Sequence, residues 1–188
     1  MVIQKTNFIT DYECKTLSEE LHRRLEKESF GVEPFYHWIE LPKESEFFLS
    51  PFFRKILEKQ MNFLYEEVSN RDWKIHYVGF AYQTKGFPYH ADAVWPEDEK
   101  NRYMGDPDLD HYHAYEGTWI PNYVPSRVFT SVTYLNDVVG GETHFPDLEI
   151  SISPSRKNMV GFHCDEKHIH GVLPVSQGVR ETLIFWFE

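Results

Sequence analysis

The chain of 188 residues has only two cysteines, Cys14 and Cys164. Two cysteines do not make a disulfide framework. Cys14 falls on the apolar stripe of a predicted helix, so a buried free thiol is expected there. Positive charge is also scarce. The net charge is −11 and no basic run interrupts it. A general nucleic-acid surface needs Lys and Arg to displace counterions, so that class is disfavoured. No apolar run reaches the ~18 residues of a membrane span. The start, MVIQKTNFITDYECK, lacks the charged-then-apolar pattern of a secretory leader. There is no internal repeat and no low-complexity tract. These absences lead to the expectation of a soluble, cytoplasmic protein in a reducing setting.

What is present suits a folded enzyme-sized unit. Apolar residues make up 41% of the chain and aromatic residues 16%, which argues for a packed core. The length fits one domain over residues 1–188. Its first 70 residues read as helical. Thr10 and Glu13 form a T-x-x-E capping box, and Cys14, Leu17, Leu21 and Leu25 follow at helical steps, predicting a helix over 11–27. A second helix is predicted from Pro51 to Val68, with Ser50 as N-cap and Pro51 in its first turn. The piece between them, 35–42, reads as extended.

After Asn70 the pattern changes. Segments 73–83, 128–136, 147–153, 158–164, 170–175 and 181–187 are short and rich in β-branched and aromatic residues. Gly, Pro, Asn and Asp separate them, with Gly140-Gly141 expected as a hairpin turn. The whole predicts a mainly β jelly roll over 71–188, with the two helices packed outside. Residues 93–126 break the rhythm as a 34-residue insertion with six Trp or Tyr and seven acidic residues. Loops of that length are uncommon unless functional or disordered, and so many aromatics argue against disorder.

Four polar residues carry the chemical signal. His90 and Asp92 are two apart, His170 lies eighty residues on, and Arg180 ten beyond that. Two imidazoles and one carboxylate can cap one face of Fe(II) and leave the other open. An arginine nearby supplies a fork for the carboxylate of a co-substrate such as 2-oxoglutarate. H-x-D alone is weak: ten His and ten Asp give roughly half a chance match in this length. A second one, His163 and Asp165, exists, but no histidine after His170 could complete it. His168 competes with His170 for the distal position. Asp108, Asp110, His111 and His113 also have metal-binding chemistry, though acidic loop residues are usually solvated.

Three ordered blocks then resemble a known family. They are YHAD at 89–92, RVFTSVTYLNDVVGGETHFP at 127–146 and HGVLPVSQGVRETLIFWF at 170–187. Over about residues 75–187 the chain is similar to the prolyl 4-hydroxylase-like branch of the Fe(II)/2-oxoglutarate dioxygenases. The resemblance implies a double-stranded β-helix that binds Fe(II), 2-oxoglutarate and O2, with ascorbate as a reductant. It implies metal ligands at His90, Asp92 and His170, the H-x-x-x-P-V run selecting His170 over His168. It implies 2-oxoglutarate contacts at Arg180, Tyr82 and Thr143, and substrate contacts at Arg127 and Trp186. The segment between Tyr82 and His90 is one residue shorter than the family's pattern. Related halogenases have a small residue at the place of Asp92, so hydroxylation with release of succinate and CO2 is expected.

Each residue also has an ordinary reading. Arg180 could start a surface strand, Thr143 and Tyr82 could be strand residues, and Trp186 could be core. The expected substrate is a protein side chain such as peptidyl proline. The rivals are a free amino acid or other small metabolite, a methylated nucleic acid, and a non-catalytic jelly-roll binding role. The insertion starts beside Asp92, so it is expected to act as a lid.

Overall fold

In the computed structural model, residues 1–27, 36–98, 104–106, 111–122 and 124–188 are described. The first helix, α1 (Asp11–Lys27), begins where the capping box places it. The Glu13 amide donates to Thr10 Oγ1 at 3.2 Å, and the Thr10 amide donates to Glu13 Oε2 at 2.7 Å. Cys14, Leu17 and Leu21 are fully buried on one stripe, and both cysteines are free. A short helix, α2 (Glu46–Leu49), leads into α3 (Pro51–Phe63). Ser50 caps α3 by accepting from the Phe53 amide at 3.1 Å. The predicted end at Val68 holds, but the last five residues, Leu64–Val68, widen into a π-turn. Lys59 of α3 meets Glu13 at 2.6 Å and ties the two helices together.

Ten strands form two facing antiparallel sheets: β1 (Val2–Lys5), β2 (Tyr36–Glu40), β3 (Ile75–Gln83), β4 (Phe87–His90), β5 (Phe129–Tyr134), β6 (Thr143–Phe145), β7 (Ile150–Ile152), β8 (Met159–His163), β9 (His170–Val172) and β10 (Arg180–Phe187). The large sheet runs β1-β8-β5-β10-β3-β2 and the small one β7-β6-β9-β4. This is the predicted jelly roll with helices outside. One face of the large sheet meets the helices through Phe53, Ile56, Phe80, Phe129, Leu183 and Phe185. Its other face meets the small sheet through Val132, Tyr134, Phe145 and Phe162. Each such buried side chain contributes about 1.5–3 kcal/mol. Among the described residues, no helix is long and apolar enough to cross a membrane.

Three expectations change. The strand predicted over 147–153 is a 3-10 turn at Pro146–Leu148 followed by β7. The strand predicted over 170–175 splits, because Pro174 has no N–H to give to a ladder. Gly140-Gly141 is not a simple hairpin turn. The chain there stops pairing with Val175–Gln177 and starts pairing with β9 as β6. Both glycines take positive φ, 78° and 71°. A Cβ on Gly140 would lie 2.3 Å from the Pro174 carbonyl oxygen. Gly140→Ala is therefore expected to cost about 2 kcal/mol, because strain and clash add. For this chain length that is a fall in Tm of ~4–8 °C, read by thermal unfolding.

Candidate metal centre and active site

Strands β4 and β9 are neighbours, and their register sets His90 directly opposite His170. Facing positions on one side of an antiparallel pair come close, and the two ring centroids are 4.5 Å apart. Asp92 does not share their ladder, as a simple reading of H-x-D on one strand would have it. β4 ends at His90, and Asp92 is carried back by the bend that follows. Two bonds hold that bend: Asn122 Nδ2 donates to the Asp92 carbonyl at 2.8 Å, and the Ala93 amide donates to the Cys164 carbonyl at 3.0 Å. As a result, ligand atoms of His90, Asp92 and His170 all lie within 4.8 Å of one another.

The remaining polar atoms of these side chains are already spoken for. His90 Nδ1 faces the Pro88 carbonyl at 2.8 Å, and His170 Nδ1 faces the His168 carbonyl at 3.0 Å. A carbonyl only accepts, so each Nδ1 carries the proton and each Nε2 offers its lone pair to the site. Asp92 Oδ2 accepts from Thr130 Oγ1 at 2.5 Å and from Trp186 Nε1 at 3.0 Å. Oδ1 is left toward His90 Nε2, 3.6 Å away. Burial by itself would raise the Asp92 carboxyl. The adjacent imidazoles of His90 and His170 and the hydrogen bond from Thr130 outweigh it and hold the group well below the usual carboxylate range. Burial, then the charge of His90, pushes His170 down to about 4. Two nitrogens and one ionised oxygen on a shared face fit Fe(II).

The competing residues do not converge on this point. His168 turns away, with Nδ1 on Asp165 at 2.5 Å and Nε2 against the Met1 amine. Only its carbonyl touches His170. His163 packs edge-on against Phe129, centroids 5.4 Å apart. Among the described residues, His90, Asp92 and His170 form the one group of this kind. Asp108, Asp110 and the His111 side chain lie outside the described residues.

Arg180 opens β10, opposite Gln83, and is 2% exposed. Nε donates to the Gly141 carbonyl at 3.0 Å, Nη2 donates to Thr143 Oγ1 at 3.0 Å, and Nη1 donates to Gln83 Oε1. The Tyr134 hydroxyl meets Thr143 at 2.7 Å, and burial pushes its phenol up, keeping it neutral. The triad, Thr143 and Arg180 line one cavity between the sheets. Tyr82 is not part of it. It pairs with Glu181, not Arg180, and side chains alternate faces along a strand. Tyr82 therefore points to the helices, its ring 6.3 Å from His22. Gln83, one residue on, takes the inward place.

Trp186 and Arg127 stand at the outer mouth, the Arg127 guanidinium 4.3 Å from the Trp186 ring centroid. The described middle of the insertion does not cover this mouth. Met104 is 0% exposed in a cluster with Tyr89 and Ile169, joined by Tyr112, Tyr115 and Trp119. Tyr89 precedes His90 and so faces the opposite side of the small sheet. These described residues back the outer face of the ligand-bearing sheet. Among the described residues, the insertion's roots wall the mouth through Trp95, Asn122 and Val124. Met104→Ala is expected to lose about 2–5 kcal/mol of stability, seen as a fall in Tm.

Sequence reasoning did not find Gln83, Thr130, Asn122 or Cys164. Gln83 was within reach, since placing Arg180 inward fixes which neighbour on β3 faces it. The others are ordinary strand and loop residues whose roles arise from tertiary neighbours. Cys164 Sγ lies 3.1 Å from Thr130 Oγ1. The hydroxyl proton goes to Asp92, so the thiol donates to Thr130. Alanine at His90, Asp92 or His170 is expected to abolish Fe(II) or Co(II) binding in a metal titration, and His168→Ala to leave it nearly intact. Thr130→Val is expected to weaken metal affinity ~10–100-fold, as loss of a ligand's hydrogen-bond partner typically does. Thr130→Ser is expected to restore it.

The comparisons agree with this geometry. The 2OG-Fe(II) oxygenase superfamily profile matches residues 80–188. The fold is similar to the viral collagen prolyl hydroxylase of Paramecium Bursaria Chlorella virus-1 in complex with 2-oxoglutarate. The TM-score is 0.68 at 19% identity, over 99% of this chain and 94% of that one. A prolyl-4-hydroxylase from Pseudomonas putida gives 0.60 at 17% identity, over 100% and 91%. HygX from Streptomyces hygroscopicus, with nickel and 2-oxoglutarate bound, gives 0.62 at 15% identity, over 99% and 81%. No curated protein matches the chain in sequence. The family match spans more than half of the chain and contains all three candidate ligands and Arg180, so this protein belongs to the 2OG-Fe(II) oxygenase superfamily.

Proposed function

We propose that the protein hydroxylates an unactivated C–H bond of an amino-acid-type substrate, holding iron through His90, Asp92 and His170. The observation that carries this reading is that the triad and Arg180 line a single cavity between the sheets. Bound iron would couple oxidation of 2-oxoglutarate, to succinate and CO2, with insertion of one oxygen atom into the substrate. The chain's own residues supply orientation and a dry pocket. Arg180 offers its fork to the far carboxylate of 2-oxoglutarate, and the Thr143 hydroxyl and Gln83 amide steady that fork. Phe162, Val132 and Ile184 keep water from the space between. Asp92 occupies a ligand place with a carboxylate, which favours oxygen transfer to carbon over transfer of a bound halide.

Trp186 and Arg127 form the substrate side of the pocket in this reading. The prolyl hydroxylases among the fold neighbours support a proline-like substrate, free or within a peptide. HygX, with hygromycin B bound in one of its structures, supports a small molecule.

The role of Arg180 is tested by succinate release against 2-oxoglutarate concentration. Loss of one partner from a buried charge pair costs ~2–5 kcal/mol. Arg180→Ala is expected to raise the 2-oxoglutarate requirement roughly thirtyfold or more, and Arg180→Lys to do less. An unchanged requirement in Arg180→Ala would remove Arg180 from this role.

A further inference from the structure

The mouth of the site carries charge that the oxygen chemistry does not use. A cavity of about 650 Å³ opens outward from His90, Asp92 and Trp186 and reaches Glu40, His76 and Arg127. The Arg127 guanidinium lies flat against rings, 4.3 Å from the Trp186 centroid and 5.8 Å from that of Tyr77. Its Nε is buried and has no hydrogen-bond partner among the described residues. His76 repeats the pattern. Its Nδ1 is 3.4 Å from both Glu188 and the Ser126 hydroxyl, while its buried Nε2 has no partner among the described residues. A buried polar atom left unpaired costs about 1–3 kcal/mol. Both side chains reach the cavity wall, and the Arg127 guanidinium has no ion pair among the described residues, so the cavity offers a cation to an oxygen-bearing group that arrives with a ligand. Glu40 adds an exposed carboxylate to the same cavity.

We infer that this outer cavity takes the dipolar backbone of a free α-amino acid, its carboxylate on Arg127 and its ammonium toward Glu40. The inference rests on the oxygenase reading above and narrows its substrate. A residue inside a peptide brings only neutral amides to a mouth that offers the cation of Arg127 and the anion of Glu40. A dianionic metabolite would meet Glu40 and a chain of net charge −11. A zwitterion satisfies both charges, and its side chain then runs past Trp186 toward the triad. The stacked guanidinium is well suited to this, because its edge stays open to a carboxylate while its face is held.

The test uses the intact protein with Co(II) and 2-oxoglutarate. Trp38, Trp95 and Trp186 line the cavity, so tryptophan emission reports binding there. Each of the twenty standard L-amino acids is titrated, then its primary amide and its N-acetyl form. At least one free amino acid is expected to bind at least tenfold more tightly than either derivative. Arg127→Gln is expected to reduce the acid to the affinity of its amide while moving the amide less than twofold. A variant that merely disturbs the fold would weaken both alike. Equal binding of acid and amide, binding only of capped proline peptides, or no binding by any of the sixty compounds would overturn the inference. Oxygen uptake with Fe(II) separates the two readings. Uptake without carboxylate-dependent binding removes the subsite alone, and such binding without 2-oxoglutarate-dependent uptake removes the oxygenase assignment alone.

Discussion

The pairing of β4 with β9 is the constraint on which the site depends. It puts His90 across from His170, and no other contact could do so, since eighty residues of chain separate them. A slip of one residue would send one imidazole to the outer face of the small sheet. Several features fix the register. Gly171 allows close approach: a Cβ there would come within 2.8 Å of the Tyr89 ring and 2.9 Å of the Phe87 carbonyl. Pro174 stops the ladder just beyond β9. The backbone carbonyls of Pro88 and His168 then hold the two rings, each from the residue two before its histidine. The ligand geometry is thus built largely from local backbone, and side-chain networks are needed only for Asp92.

Asp92 needs more support because it lies beyond the strand end and its charge is buried. An isolated buried carboxylate would be neutralised by its surroundings. Thr130, Trp186 and the two imidazoles keep it ionised, while Cys164 and Asn122 hold its backbone. At Arg180 the same problem is solved differently. Its hydrogen bonds to Gly141, Gln83 and Thr143 go to neutral acceptors, which orient the guanidinium. One cavity therefore has an anionic metal-binding wall and a cationic wall, the polarity that a metal-chelating dicarboxylate requires.

Much of this was legible in sequence where the signal was local. The capping box at Thr10, the Ser50-Pro51 start and the alternating strands each depend on residues within a turn of one another. The triad and Arg180 were legible because their chemistry is rare in combination. What escaped depends on parity and on distant partners. Tyr82 and Gln83 are equally plausible on composition, and the pairing of β3 with β10 decides which faces inward. The spacing from Tyr82 to His90, one residue short of the family's pattern, was the available hint. Strand β1 shows little pattern of its own. It exists because Val2–Lys5 completes the edge beside β8. His76 looks like any strand histidine until the fold sets it on the wall of the outer cavity.

The described middle of the insertion has a structural task of its own. The insertion begins one residue after a metal ligand and is rich in aromatics, and both facts fit a lid. Yet a two-sided sheet has a second demand. Tyr89 and Ile169 flank the two ligand histidines and must point away from the metal. Left uncovered, they would expose a continuous apolar patch. Met104, Tyr112, Tyr115 and Trp119 bury that patch, and two bonds anchor the cover: the Tyr112 hydroxyl to Asp147 at 2.6 Å, and the Met104 amide to the Tyr89 carbonyl at 2.9 Å. Packing on one face of the sheet thereby holds the strands that fix the imidazoles on the other. Aromatic content near a site tells of burial, but which face is buried follows from the alternation of the strand beneath it.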